Sequence, residues 1–263
     1  MALTLTVLGA GPAGPNPGGA NSGYLLREGD QAVLVDCGAG IAGRLARHVA
    51  PNRLHGVVIS HFHPDHYFDL VALYYQLKYG EARPSELPPL LPVFVPPGGR
   101  EFLRRFAAVI AEKSAMFGDV FDVREYAPGV ETLIGGLSFT FVRVQHYVLS
   151  HAMRVRSSRG ALLVFSSDVA PCAELVEAAR DADLFLCESA MLDASNDDPD
   201  PARRGHMSAR EAGDAARVAG AQRLLITHYR SGQRYDAIHL EAAASAFEGP
   251  VELAREGETY VVD

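Results

Sequence analysis

The chain has 263 residues, 48% of them apolar, and a formal net charge of −8. That length and apolar content are enough for one large domain, residues 1–263, with a substantial buried core, and they exclude intrinsic disorder. The acidic balance, spread without long charge runs, gives no broad electrostatic footprint for nucleic acid, and no apolar run approaches the ~20 residues a membrane-spanning helix needs.

The N-terminal segment has no basic lead and passes directly into glycines, so Thr4–Leu8 reads as a first strand and not as part of a secretory signal. Cys37, Cys172 and Cys187 are an odd set in apolar surroundings without metal-type spacing, which points to reduced core thiols and a cytoplasmic protein. Gly9-Ala10-Gly11-Pro12-Ala13-Gly14 follows the strand and matches a dinucleotide fingerprint, with Asp36 at about the distance of a ribose-binding acid. That mechanism needs a helix to begin in the glycine loop, because the helix N-terminus holds the pyrophosphate. Pro15-Asn16-Pro17-Gly18-Gly19 cannot propagate one, so the segment reads as a wide loop and no NAD or FAD is expected.

Further strands are predicted at Gln31–Val35, Val57–Ser60, Ser138–Val144, Ala161–Ser167, Leu184–Cys187 and Arg223–Thr227, several of them apolar enough to be buried on both faces. Helical stripes lie between them at Asp69–Tyr79 and Ala173–Arg180, and Ser208-Ala-Arg-Glu211 is a capping box opening a helix that runs to about Gly220. Pro84–Pro97 reads as a loop bordering a strand at Pro92–Val95. Residues 98–120 read as a helical excursion, either a wall or lid over a site or a packing helix. The chain is therefore of α/β class.

The segment His61-Phe62-His63-Pro64-Asp65-His66 carries the chemistry. Just past a strand, His61 and His63 alternate to the same side and suit one ion, while Asp65 and His66 open the next helix toward a second. Neutral imidazole and carboxylate suit zinc, and also manganese or iron. His146, Asp168 and His228 each follow a predicted strand, and ligand sites of open α/β sheets gather at such ends.

With these residues the sequence resembles the metallo-β-lactamase superfamily, and within it the ribonuclease Z-like branch. Val33-Leu34-Val35-Asp36-Cys37-Gly38 is similar to the first motif, Ser60–His66 to the second, His146 to the third, Ser167-Asp168 to the fourth and Thr227-His228 to the fifth. The resemblance implies a four-layer αββα sandwich with two divalent metal ions at one edge, and a homodimer. His61, His63 and His146 would hold one ion, Asp65, His66 and His228 the other, and Asp168 would bridge them. His151 is the rival of His146. Asp36 either holds ligand imidazoles by hydrogen bonds or stabilises the turn before Gly38.

Two ions sharing a water lower its pKa until hydroxide exists near neutrality, so hydrolysis is the expected reaction, with Asp65 also orienting that hydroxide. Arg204-Gly205-His206-Met207-Ser208 resembles the branch's His-Ser/Thr motif, which implies that His206 contacts the scissile phosphate and protonates the leaving oxygen. Glu188 matches a Glu-Ala-Thr-like element and either orients His206 or makes a structural hydrogen bond. Aspartate at 168 departs from the cysteine of true β-lactamases, Gln145–His151 departs from the thioesterase pattern, and His63 stands where flavo-diiron proteins carry glutamate. Phosphodiester cleavage remains. Only 22 positions separate His146 from Asp168, leaving no room for the long arm with which bacterial ribonuclease Z grips transfer RNA. A small or cyclic phosphodiester is therefore the expected substrate. A lactone or carboxylic ester, or RNA as for a ribonuclease Z-like nuclease, are the alternatives; a non-catalytic scaffold would have lost ligands that this chain presents.

Overall fold

Side-chain alternation along the first strands decides the layering. A computed structural model describes residues 1–111, 116–192, 198, 200 and 203–263. In β1 (Leu3–Gly9), β2 (Gly23–Glu28) and β3 (Gln31–Val35), Val7, Tyr24, Leu26, Val33 and Val35 share one core with Phe139, Phe141 and Phe165 of a second sheet. Tyr24 meets Phe165 with ring centroids 5.1 Å apart. The intervening Leu8, Leu25 and Leu34 turn outward into a second core, with Ile41, Leu70, Leu73 and Leu103. Those residues come from α1 (Ile41–Leu45), α3 (Leu70–Tyr79) and α4 (Gly99–Ile110). The second sheet is covered outside by α5 (Ala173–Ala179), α6 (Ala209–Ala219) and α7 (Gln233–Ala244), completing an αββα sandwich.

The remaining strands are β4 (Gly56–Val58), β5 (Leu91–Val95), β6 (Phe121–Glu125), β7 (Thr132–Ile134), β8 (Leu137–Val144), β9 (Ser150–Arg156), β10 (Leu162–Phe165), β11 (Leu184–Glu188), β12 (Leu224–Thr227), β13 (Val251–Leu253) and β14 (Thr259–Val262). The sheets run in the orders β14-β1-β2-β3-β4-β5-β6 and β7-β8-β9-β10-β11-β12-β13. Each contains three antiparallel pairings followed by three parallel ones, so the two halves share one topology, with β14 returning from the C-terminal region to complete the first. The C-terminal ends of β3, β4, β10, β11 and β12 consequently gather at one edge, where such sheets bind ligands.

Several expectations need correction. Periodicity missed β6, β7, β13 and β14, which are short or half-exposed strands stabilised by register with their neighbours, and also the largely buried β2 and β9. His146, Asp168 and His228 are each expected one step past a strand; β8 ends at Val144 and β10 at Phe165, so only His228, directly after β12, stands there. Cys172 is half-buried at the start of α5 and not a core thiol, whereas Cys37 and Cys187 are buried. The Gly9–Gly14 run opens no helix; Gly11 and Ala20 hydrogen-bond across the loop at 2.9 Å. Within residues 98–120, α4 packs on the metal-type segment, with Phe102 stacked on Phe62 at 4.2 Å and Phe106 against Tyr67; residues 112–115 lie outside the described residues. The helix from Ala209 is closed by the expected capping box, Ser208 Oγ accepting from the Glu211 amide and the Ser208 amide donating to the Glu211 carboxylate at 2.9 Å. No helix among the described residues is long and apolar enough to cross a membrane.

Candidate metal centre

Pro64 divides the His61–His66 segment into two chemical halves. Its ring presets the backbone for a first helical position, so α2 (Pro64–Tyr67) begins there, with His63 extended before it at φ −83° and ψ 145°. His61 and His63 therefore project from an extended arm, and Asp65 and His66 from the first turn. The backbone after β3 fixes this helix: the Cys37 amide donates to the His66 carbonyl at 2.7 Å, and the Asp69 amide to the Cys37 carbonyl at 2.9 Å. Gly38 permits the approach, because a Cβ there would lie 1.9 Å from the Asp65 carbonyl oxygen.

Two clusters of four donors result, beside a smaller group of Glu188, His206 and His228. His61, His63, His146 and Asp168 form one, Asp65, His66, His228 and Asp168 the other, and Asp168 belongs to both. In the first, His63 Nδ1 is 3.2 Å from His61 Nε2 and 3.0 Å from His146 Nε2, with Asp168 Oδ2 3.6 Å from His61 Nε2. In the second, Asp65 Oδ2 lies 3.5 Å from His66 Nε2 and 3.1 Å from His228 Nε2, and Asp168 Oδ1 is 3.3 Å from His66 Nε2. Donors around a tetrahedral cation with metal–nitrogen bonds of about 2.0–2.1 Å stand about 3.3 Å apart, so both clusters have the dimensions of such a cage. His66 Nε2 and Asp168 Oδ1 are buried without a hydrogen-bond partner. Orphaned polar atoms of this kind are costly in an interior and mark a position for an ion. The clusters suit a dinuclear metal site.

The opposite ring nitrogens settle which lone pairs face the clusters. Asp36 accepts from the Ser60 amide at 2.8 Å, from Ser60 Oγ at 2.8 Å and from His66 Nδ1 at 2.7 Å. Because Ser60 Oγ gives its proton to Asp36, it accepts from His61 Nδ1 at 3.1 Å; Ser167 Oγ stands on the same nitrogen at 3.3 Å. His146 Nδ1 donates to the Gly205 carbonyl at 2.5 Å. Each of these rings thus turns its Nε2 toward the centre. Asp36, Ser167 and His228 all adopt left-handed backbone, at φ 57°, 57° and 49°. Such non-glycine conformations cost about 1–3 kcal/mol each and persist where the surroundings impose them.

Electrostatics match a cation. Burial, and then neighbouring His66, push His61 well below its ordinary pKa, and burial takes His146 down to about 4, so both stay neutral. Burial would raise Asp168, but His228 and His66 hold its carboxyl well below the usual range. Burial also opposes charge on His66, yet Asp168 and Asp36 raise it well above its ordinary value.

His206 stands at the rim, its ring centroid 5.1 Å from His146 and 5.6 Å from His228. Its Nδ1 lies 2.9 Å from Glu188 Oε1, and Glu188 is itself held by the amides of Val169 at 2.7 Å and Ala190 at 3.0 Å. Burial opposes protonation of His206, but Glu188, Asp168 and Asp65 outweigh it and raise its pKa to about 9. His151 belongs to neither cluster: its Nδ1 faces the Tyr126 hydroxyl at 3.2 Å within β9. Sequence reasoning missed Ser60, Ser167 and Gly205 as partners of ligand-type rings, since small residues beside a motif carry no distinctive pattern.

Fold, clusters and donor chemistry define a metallo-hydrolase of the metallo-β-lactamase type. The chain belongs to the beta-lactamase superfamily, whose domain matches residues 31–229. It is 35% identical over 264 residues to ML1173 of Mycobacterium leprae (strain TN), covering 99% of this chain and 89% of that one. Ribonuclease Z of Myxococcus xanthus (strain DK1622) is 29% identical over 306 residues, with 98% and 97% covered. The crystal structure of the metallo-beta-lactamase fold protein YhfI from Bacillus subtilis superposes with a TM-score of 0.85 at 26% identity, over 99% of this chain and 100% of the other.

Proposed function

We propose that the chain is a dinuclear metal-dependent phosphodiesterase acting on small or cyclic phosphodiesters, with His61, His63 and His146 as ligands of one ion, Asp65, His66 and His228 of the other, and Asp168 shared. Zinc fits the nitrogen-rich donor set, and manganese or iron is compatible with it. Two such cations, when bound, acidify a water and stabilise the negative charge that develops during hydrolysis.

The observation carrying the phosphodiester reading is the Glu188–His206 pair at the edge of both clusters. Expelling an alkoxide from a phosphodiester requires a proton on the leaving oxygen, and a positioned imidazolium delivers it. Glu188 fixes the His206 ring through Nδ1 and favours the protonated form against the positive charge of the centre. The remaining nitrogen, Nε2, is then the proton donor. Asp36 and Ser60 keep His66 and His61 oriented, so the ligand cage is in place before substrate arrives. Asp65, one of the donors of the second cluster, also orients the attacking water.

A ribonuclease Z-like reaction on RNA is the second reading, favoured by the Myxococcus relative. Against it, the chain between His146 and Asp168 is taken up by β9, β10 and a short connection, which leaves no extended arm for transfer RNA.

An activated phosphodiester, 2′,3′- and 3′,5′-cyclic nucleotides, a transfer RNA precursor and acyl lactones should be assayed side by side on metal-reconstituted protein. Turnover of the small phosphodiesters that disappears on chelation and returns with added zinc or manganese is expected. Lactone turnover alone would overturn the reading, and cleavage of the RNA precursor alone would replace it with the second.

A further inference from the structure

The segment carrying His206 is held against the first cluster by a contact that does not involve Glu188. Gly205 directs its carbonyl oxygen at His146 Nδ1, 2.5 Å away, while the ring of the next residue along from His146, Tyr147, covers the α-carbon of Gly205. A Cβ built on Gly205 would stand 2.2, 2.4 and 2.6 Å from three atoms of that ring. Tyr147 also meets His206 at 5.9 Å between centroids and 75° between planes, and His146 at 5.3 Å. Gly205 does not lie among the positive-φ residues, so its backbone would accept alanine, and the three nearest atoms a Cβ would meet all belong to that ring, which would have to move aside. Tyr147 is 61% exposed, so core packing is not what retains it there.

We infer that Tyr147 and Gly205 are a pair of positioning residues: the ring clamps the 205–206 backbone so that one carbonyl holds the His146 imidazole while the adjoining side chain, His206, is set at the rim. Ring orientation at one ion and placement of the proton donor are then controlled by the same contact. Displacing the Gly205 backbone moves both. The inference rests on the proposed roles of His146 and His206, and adds a reason for the absent side chain at 205.

The test is a double-mutant cycle of wild type, Gly205→Ala, Tyr147→Ala and the combined variant, with zinc affinity of the demetallated proteins and the kcat and KM of phosphodiester hydrolysis as separate readouts. Loss of a residue that orients a metal ligand costs about 10–100-fold in affinity or activity, so Gly205→Ala should weaken one of two zinc ions and lower kcat by that order with KM little changed. Tyr147→Ala removes the clamp and should cost only a few-fold on that scale. Adding it to Gly205→Ala opens the space for the methyl group, so the combined variant should recover toward Tyr147→Ala. Wild-type behaviour of Gly205→Ala, or a Gly205→Ala defect that Tyr147→Ala does not relieve, would overturn the inference. Wild-type protein that holds two zinc ions without phosphodiester turnover would sink the functional reading, while the zinc-affinity cycle would still decide this one.

Discussion

The two halves share a topology but furnish the centre in opposite ways. In the first half, four donors come from one six-residue segment after β4, and a single residue after β3, Asp36, anchors them. In the second, His146, Asp168, Glu188, His206 and His228 arrive singly, from the ends of β8, β10, β11 and β12 and from the loop before α6. The matching strands β3 and β10 nonetheless end alike, with a left-handed residue whose side chain reaches the far nitrogen of a ligand-type imidazole: Asp36 on His66, Ser167 on His61. Local sequence builds the first half of the cage. Sheet registration builds the second, and Asp168 joins them.

Asp168→Ala should break the comparison most severely. Because it alone among the described residues belongs to both clusters, elemental analysis should show both ions lost and hydrolysis at background, whereas His66→Ala should lose one ion. Equal metal content in the two variants would refute a bridging role.

His206→Ala removes a second-half residue outside both main clusters. Metal content should remain, and kcat on an unactivated phosphodiester should fall by about 10²–10⁴-fold, the usual contribution of a general acid, with a much smaller loss on a p-nitrophenyl ester whose leaving group needs no proton. Uniform loss on both substrates would argue against proton donation.

Asp36→Asn and Glu188→Gln contrast the two anchors, each with an expected cost of about 10–100-fold. The first should weaken zinc binding; the second should spare it and alter the pH profile. A general acid works only when protonated, so activity falls as pH rises through its pKa. Glu188 is a principal cause of the rise of His206 to about 9, and removing its charge should move the alkaline limb to lower pH. An unmoved limb would separate Glu188 from His206.

The smallest effect concerns stability. His239 of α7, buried and paired with Ser189 Oγ at 2.9 Å just past β11, has its pKa lowered to about 4 by burial. An unfolded histidine titrates at about 6.5, so between those values the unfolded state binds the extra proton. The contribution of His239 to stability is complete above about pH 6.5 and is lost as pH falls toward 4. Denaturant unfolding of wild type and His239→Gln across that range should show a shallower pH slope in the variant; parallel slopes would exclude His239 as the cause.

The sequence by itself determined the parts whose cause is local. Pro64 between two pairs of donors fixes an arm followed by a helical turn, the Ser208–Glu211 box starts α6, and the prolines after Gly14 forbid the helix a dinucleotide would need. Tertiary structure decided the rest. Whether His146 or His151 faces the centre depends on the β8–β9 pairing, which turns His151 toward Tyr126, and alternation alone does not distinguish them. Asp36 was ambiguous between a turn residue and an anchor until β4 lay beside β3 and brought Ser60 and His66 to its oxygens. Ser167 and Gly205 act through contacts 106 and 59 residues distant along the chain, with His61 and His146, where no local pattern exists to read. A short-range rule names the donors; strand pairing within the first sheet and the closing of the two sheets against each other determine which nitrogen each ring presents.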